Sequence, residues 1–239
     1  MQRLGKAILA ALIIVLTLSG MAMAGELVVN GGFETGDATG WTVVDVGSGS
    51  FAIMSGTTTP LNGFTVLPPP AGTYAAMTDQ TGGGTHILYQ DIAVPAGGST
   101  QFSATIYLNN QAADWVIGTG LDYTSTPNQQ FRVDIMDPAA AVDDVGAGVL
   151  MNVYQTQPGD PLTLGYTTIS ADLSAYAGRT VRIRFAEVDN QLYLNAGVDQ
   201  VSAVSAEAAV PTMTEWGMIV FMLLAGAGSV CFLRRRQKA

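Results

Sequence analysis

Hydrophobic and polar positions divide this chain into three stretches. An apolar run covers residues 7–18. A long middle follows, in which short apolar runs are punctuated by Gly, Thr, Ser, Pro, Asn and Asp. A second apolar run extends from Met218 to Leu233. In the middle stretch the period is two. Phe131, Val133 and Ile135 alternate with Arg132, Asp134 and Met136, and Val181, Ile183 and Phe185 alternate with Arg182 and Arg184. Successive side chains of a strand point to opposite faces, so the first set of each pair is predicted to face a core. Residues 87–94 and 101–108 are β-rich, with a turn at Pro95-Ala96-Gly97-Gly98 between them. Loops are predicted at 56–72, 109–128, 137–148 and 155–161. Helix signals are nearly absent after Gly25, and no repeat of fixed period is present. The pattern predicts an all-β sandwich.

The two ends read differently from the middle. Arg3 and Lys6 precede the first apolar run, and Ala22-Met23-Ala24 follows it as a small-residue cleavage site. That order is expected of a secretory signal peptide, residues 1–24, with an uncleaved anchor as the alternative. At the other end, residues 206–217 form a linker ending in Val210-Pro211-Thr212-Met213-Thr214-Glu215-Trp216-Gly217. The apolar residues 218–233 come next, then a basic tail, 234–239, with Arg234, Arg235 and Arg236. Counted with Trp216 and Gly217, the run is about 18 residues, or roughly 27 Å as a helix, just enough to span hydrocarbon. The arginines place its end on the cytoplasmic side.

This tail resembles the IPTL-CTERM sorting signal, a relative of the PEP-CTERM signals. That pattern is I-P-T-L-S-E-W-G, a hydrophobic span and basic residues. Pro211, Thr212, Glu215, Trp216 and Gly217 match it by identity; Val210, Met213 and Thr214 are conservative replacements. The resemblance implies an exosortase-type enzyme as partner, removal of the tail, and a single-pass state in the inner membrane before processing. A plain single-span anchor is the alternative.

Charge is unevenly placed. Six of the ten Lys and Arg lie in the terminal segments. Only Arg132, Arg179, Arg182 and Arg184 remain against nineteen acids, a formal charge of −15 on the exported segment. Such a surface repels nucleic acid and attracts cations. Fourteen of the acids are Asp, which suits turns and calcium loops. The single cysteine, Cys231, lies in the second apolar run, so the middle stretch has no disulfide to staple it.

A second resemblance spans residues 27–204. Leu27-Val28-Val29-Asn30-Gly31-Gly32-Phe33-Glu34 with Gly40-Trp41, Asp172 to Gly178 leading into Val181 to Phe185, and Gly197-Val198-Asp199-Gln200-Val201-Ser202 are similar to the opening, penultimate and closing strands of galactose-binding-like jelly rolls. Many of these are carbohydrate-binding modules. The resemblance implies a jelly-roll β-sandwich over residues 25–205. It also implies one structural Ca2+ ion where the first and last strands meet, held by Glu34 and Asp199 with backbone carbonyls completing the shell. The alternative is that both acids are solvated or capped by backbone N–H groups. Trp41 is expected in the core.

No catalytic constellation stands out. His86 is the single histidine and sits on a predicted strand; no nucleophile elbow, phosphate loop or zinc motif is present. Asp143-Asp144 and other acids supply a carboxylate pair only by abundance. A ligand face is the stronger expectation. Trp115 and Tyr123 are loop aromatics, and Arg182 and Arg184 face outward on their strand. Against this, Trp115 can tuck under its loop and the arginines can pair with acids. The expectation is therefore a non-enzymatic surface or extracellular-matrix protein, exported across the inner membrane. A lectin-like module for exopolysaccharide is the alternative, and a glycan hydrolase the third reading.

Overall fold

The computed structural model describes residues 24–125, 127–206 and 215–237. The expected signal peptide therefore lies outside the described residues except for Ala24, as do Val210 to Thr214 of the sorting motif. The chain divides into two compact units, one running from Ala24 to Glu207 and one containing the C-terminal helix.

The first unit is a sandwich of two antiparallel sheets. Its strands are β1 (Ala24–Glu26), β2 (Thr42–Gly47), β3 (Ser50–Met54), β4 (Ala75–Asp79), β5 (Gly84–Ala93), β6 (Ser99–Asn110), β7 (Gln129–Met136), β8 (Val149–Gln155), β9 (Thr163–Asp172), β10 (Thr180–Asp189) and β11 (Leu194–Ala206). One sheet has the order β3-β4-β11-β6-β9, with β1 also on β11; the other is β2-β5-β10-β7-β8. The period-two pattern determines the inner faces. Phe131, Val133, Ile135, Val181, Ile183 and Phe185 are all fully buried, and they share one core with Phe102, Ile106, Leu108, Ala196 and Val198 of the facing sheet. Each of these Val, Ile, Leu and Phe side chains contributes about 1.5–3 kcal/mol on burial.

The alternating positions, expected to face solvent, are buried too. Arg132, Asp134, Met136 and Arg184 are as enclosed as the core. Two long loops cover this outer face. Leu121 and Tyr123 of one loop, and Val142 and Val145 of the other, pack on Ile87, Ala186 and Val188. On the opposite sheet Val66 of the β3–β4 loop packs with Met54, Met77 and Tyr107. Both sheets are thus covered on both sides over part of their length.

Residues 27–29, expected as the opening strand, are not a strand. The strand is the shorter β1, whose register pairs Glu26 with Val204, and Leu27 adds one backbone bond to Ala203. Strand β11 takes β4 as neighbour at Gly197 and Val198 and β1 from Val204 onward, with a bulge between Asp199 and Ser202 where the partner changes. Val201 N–H donates to the Gly31 carbonyl in that gap at 2.9 Å.

In the second unit, α1 (Glu215–Arg236) ends in the three arginines, which suit the negative end of a helix dipole. Its side chains from Ile219 to Leu233 are apolar or small and exposed on every side, wherever they are described. Among the described residues no helix is long and apolar enough to cross a membrane. The side chains of Trp216, Met218 and Cys231, which belong to the run counted in the sequence, lie outside that description.

Candidate functional site

The junction between the start and end of the sandwich is built by three residues with positive φ: Asn30 (51°), Phe33 (55°) and Gln200 (50°). Asn30 suits this conformation, and its side-chain N–H groups donate to Thr35 Oγ1 and to the Asp37 and Thr39 carbonyls. Phe33 is held there because its ring is fully buried, 5.5 Å from Trp41, whose indole N–H donates to the Asn30 carbonyl. Trp41 is core, as expected. The Phe33 turn projects Glu34 onto the loop before β4. There its carboxylate accepts the N–H groups of Thr73 (2.9 and 3.0 Å) and Tyr74 (3.0 Å).

Asp199 lies at the β11 bulge and is fully buried. Its Oδ1 accepts the Gln200 N–H at 2.6 Å, while Oδ2 has no hydrogen-bond partner among the described residues. Gly32 stands between the two acids: a Cβ there would lie 3.7 Å from Asp199 Oδ1 and 3.8 Å from Glu34 Cγ. Burial pushes the Asp199 carboxyl up to about 6, against the lowering N–H bonds of Gln200 and Ala71, and the Glu34 charge adds to the rise. The Tyr166 hydroxyl is likewise buried without a partner. Its pKa is raised by burial and then by the Asp199 charge. The structure thus brings Glu34 and Asp199 together. It also caps Glu34, and half of Asp199, with backbone N–H groups, which leaves Asp199 Oδ2 as the free oxygen. Capped carboxylate oxygens keep a further lone pair, so both acids are able to face a cation.

The residues expected to hold a ligand are placed otherwise. Trp115 is only 1 % exposed, packs in the main core, and donates its indole N–H to the Pro161 carbonyl at 3.1 Å. It has no free face for a sugar. Arg184 is fully buried, with Nη2 on Asp134 Oδ2 at 2.6 Å and Nη1 on the Val142 and Asp144 carbonyls. Arg182 is clamped by Asp91 at 2.7 and 3.0 Å and lies 4.1 Å over the Tyr89 ring. Both arginines leave the strand on the outer face, but these guanidinium ends are held by the fold, and Arg184 Nε, which has no hydrogen-bond partner among the described residues, is buried away from any ligand. Tyr123 is half-buried and packs against the outer face of its sheet, next to Gly47 and Gly83. These four residues are dispersed and do not form one surface. Asp144, one of the abundant acids, uses its carboxylate to accept the Gly146 and Gly148 N–H groups at 2.7 Å.

His86, Glu187 and Asp189 form a buried group that pattern reading passes over. A signal for it is present. Glu187 and Asp189 continue the inward parity of Val181, Ile183 and Phe185, so two carboxylates occupy core-facing positions.

At the C-terminus, α1 begins inside the motif and ends on its basic cluster, so helix and sequence signal coincide. The IPTL-CTERM motif family matches residues 208–236. Residues 208–236 are an IPTL-CTERM motif. No curated protein matches the chain. Among solved structures, the K3 cleaved adhesin domain of Lys-gingipain from Porphyromonas gingivalis W83 is similar at 13% identity and TM-score 0.49, covering 77% of this chain and all of that one. TmCBM61 in complex with β-1,4-galactotriose is similar at 12% identity and TM-score 0.46, covering 76% and 99%. A Stig cyclase from Fischerella sp. TAU is similar at 18% identity and TM-score 0.43, covering 78% and 100%. The IPTL-CTERM motif is the part of the chain that these comparisons identify at the level of sequence.

Proposed function

We propose that the chain is an exported, non-enzymatic surface or extracellular-matrix protein, a jelly-roll sandwich carried to its destination by its C-terminal signal. The observation that carries the reading is the IPTL-CTERM motif at residues 208–236, with Pro211, Thr212, Glu215, Trp216 and Gly217 in register, the last three opening an apolar helix that ends in three arginines. A helix apolar on all sides requires a non-aqueous neighbour. We read residues 218–233 as the segment held in the inner membrane while an exosortase-type enzyme processes the chain. Without the tail, four arginines against eighteen acids give residues 25–207 a formal charge of −14, which keeps the released domain soluble and away from anionic surfaces. One Ca2+ ion at the junction, on Asp199 Oδ2 and Glu34, supports the free oxygen and the two like charges.

The test is made in the producing cell. The chain, tagged inside the β3–β4 loop, is followed by mass spectrometry and fractionation, with and without the sorting enzyme. Wild type is expected outside the inner membrane and shorter by its tail. A Pro211→Ala/Trp216→Ala variant is expected to stay full length in the membrane. A wild-type chain that keeps residues 208–239, or one processed equally without the enzyme, would overturn the reading. Exopolysaccharide binding is the alternative function. It now has to rest on surfaces other than Trp115, Arg182 and Arg184.

A further inference from the structure

The core changes character at the end of the sandwich near the β2–β3 turn. One rung of the ladder reads Asp45 on β2, His86 on β5 and Glu187 on β10, each opposite the next. Asp189 follows at the next inward position of β10, opposite Gly84. His86 and Glu187 are fully buried and Asp189 is 2 % exposed. Neither oxygen of Glu187 has a hydrogen-bond partner among the described residues. One ligand atom from each of His86, Glu187 and Asp189 lies within 4.8 Å of the others, and His86 Nε2 is 4.0 Å from Glu187 Oε2.

A buried carboxylate with both oxygens unmet needs either a proton or a cation. The surroundings are arranged for a cation. Asp45 Oδ1 lies 2.8 Å from His86 Nδ1, which fixes the ring and directs Nε2 toward Glu187 and Asp189. A carboxylate behind a ligating histidine is the usual outer partner of such a site. Gly84 has no side chain where a Cβ would strike the His86 ring. His86 Nε2 lies 3.0 Å from the Ser48 carbonyl and donates to it when no ion is bound; an ion on Nε2 takes the place of that proton. Asp189 Oδ1 and Oδ2 accept the Gly84 N–H and the Gln80 amide, which orients that carboxylate. A cavity of about 210 Å³, lined by Gly82, Gly83, Asn190 and Tyr193, reaches Asp189 and gives a route in.

We propose that His86, Glu187 and Asp189 form a buried site for one divalent transition-metal ion of the zinc class. The donor set selects the class. Calcium and magnesium take oxygen ligands, whereas one imidazole nitrogen with two carboxylates suits zinc, and two negative charges neutralise the ion. The ion ties β5 to β10 at the open end of the core. It supplies a cross-link in a unit whose sequence contains no cysteine.

The experiment uses the untagged full chain in detergent, stripped with a chelator and then titrated with Zn2+ or Co2+ alone. One equivalent is expected to bind and to raise the melting temperature. Because His86 is the only histidine, X-ray absorption of the zinc-loaded wild type is expected to show a single imidazole in an otherwise oxygen shell. Glu187→Gln is expected to weaken binding at least 100-fold, and Asp143→Asn, at an exposed acid outside both acid clusters, to leave it unchanged. Absence of an imidazole signal, or equal zinc binding by Glu187→Gln, would overturn the site. The wild-type spectrum decides the matter if a variant fails to fold.

Discussion

Arg184 on β10 and Asp134 on β7 face each other across one rung of the ladder, both fully buried, with Nη2 and Oδ2 2.6 Å apart. Asp134 also accepts Arg132 Nε and Nη2, and the Asn152 amide. The carboxylate is thus the hub of two guanidinium groups beneath the 137–148 loop. Removing one partner of a buried pair costs about 3–5 kcal/mol when the other charge is left alone. Arg184→Met leaves Asp134 with Arg132, and so is expected to cost less, about 1–3 kcal/mol. Asp134→Ala strands two arginines and is expected at the upper end. Urea denaturation of both variants checks the order. A larger loss for Arg184→Met would show that the loop carbonyls, not the carboxylate, are the main anchor.

Gly31 makes the second tight contact of the fold. A Cβ at this position would overlap the Val201 carbonyl, while the Gly31 carbonyl accepts the Val201 N–H. Gly31→Ala is expected to force residues 30–34 away from β11 and cost about 1–3 kcal/mol as an overpacked contact. Gly63, with nothing near its would-be Cβ but a φ of +71°, is the control for backbone strain alone. Gly63→Ala is expected to cost less in the same thermal melts.

The junction acids give a calcium prediction. With Ca2+ at about 100 times its dissociation constant, mass action stabilises the folded state by about 2.7 kcal/mol. In a chain of this size that corresponds to roughly 5–10 °C in melting temperature. Asp199→Asn keeps an oxygen at the bulge but removes the charge, and is expected to abolish the shift. A calcium-independent wild-type melt would show that Glu34 is satisfied by its backbone N–H caps and that Asp199 Oδ2 is met by a proton rather than by an ion.

How far the sequence reveals this protein depends on what a given residue pattern encodes. Alternation at 131–136 and 181–185 encodes which face is inside, and Val133 and Ile183 are where it places them. It does not encode what lies over the other face. Arg184 in a strand reads as a solvent-facing cation, and becomes a buried one only because a loop 40 residues away in sequence brings Val142 and Asp144 to it. Trp115 misleads for the same reason. Its polar neighbours describe a loop, but the loop closes over the end of the core and Pro161 accepts its indole N–H. The meeting of Glu34 with Asp199 was accessible only through the resemblance to a fold, since 165 positions separate them. Glu187 and Asp189 were accessible in principle, as charges in the inward parity of a strand.

Tryptophan emission tests the reassignment of Trp115. Within residues 24–206 the only tryptophans are Trp41 and Trp115, both under 9 % exposed. Their emission is expected to be blue-shifted, poorly quenched by acrylamide, and unchanged when a polysaccharide is added. Trp115→Phe removes the bond to Pro161 and part of the core contact, and is expected to destabilise by about 1–3 kcal/mol while leaving any glycan binding intact. Loss of glycan binding with stability preserved would return Trp115 to the ligand face.

The pH profile of the metal-free chain follows from two classes of acid with opposite sign. Asp122 and Asp172 sit in turns where Thr124 and Ser174 donate to them from hydroxyl and N–H, holding both carboxyls below the usual range. A lowered folded pKa contributes stability that is present above the unfolded value near 4 and is lost as pH falls through the folded one. Asp189 and Asp199 behave in the opposite way. Burial raises each to about 6, so protonation favours the folded state. Their contribution is full below about 4 and disappears as pH rises past about 6. In EDTA, stability is therefore expected to peak between about pH 4 and 5, falling toward acid through the turn acids and toward neutral pH through the buried pair. Each buried acid accounts for at most about 3 kcal/mol of the neutral limb. Thermal melts from pH 2.5 to 8 check the shape. Asp199→Asn is expected to remove about half of the neutral limb, the Asp189 share remaining, and to leave the acid limb in place, whereas a flat wild-type profile between pH 5 and 7 would mean that neither carboxyl is raised.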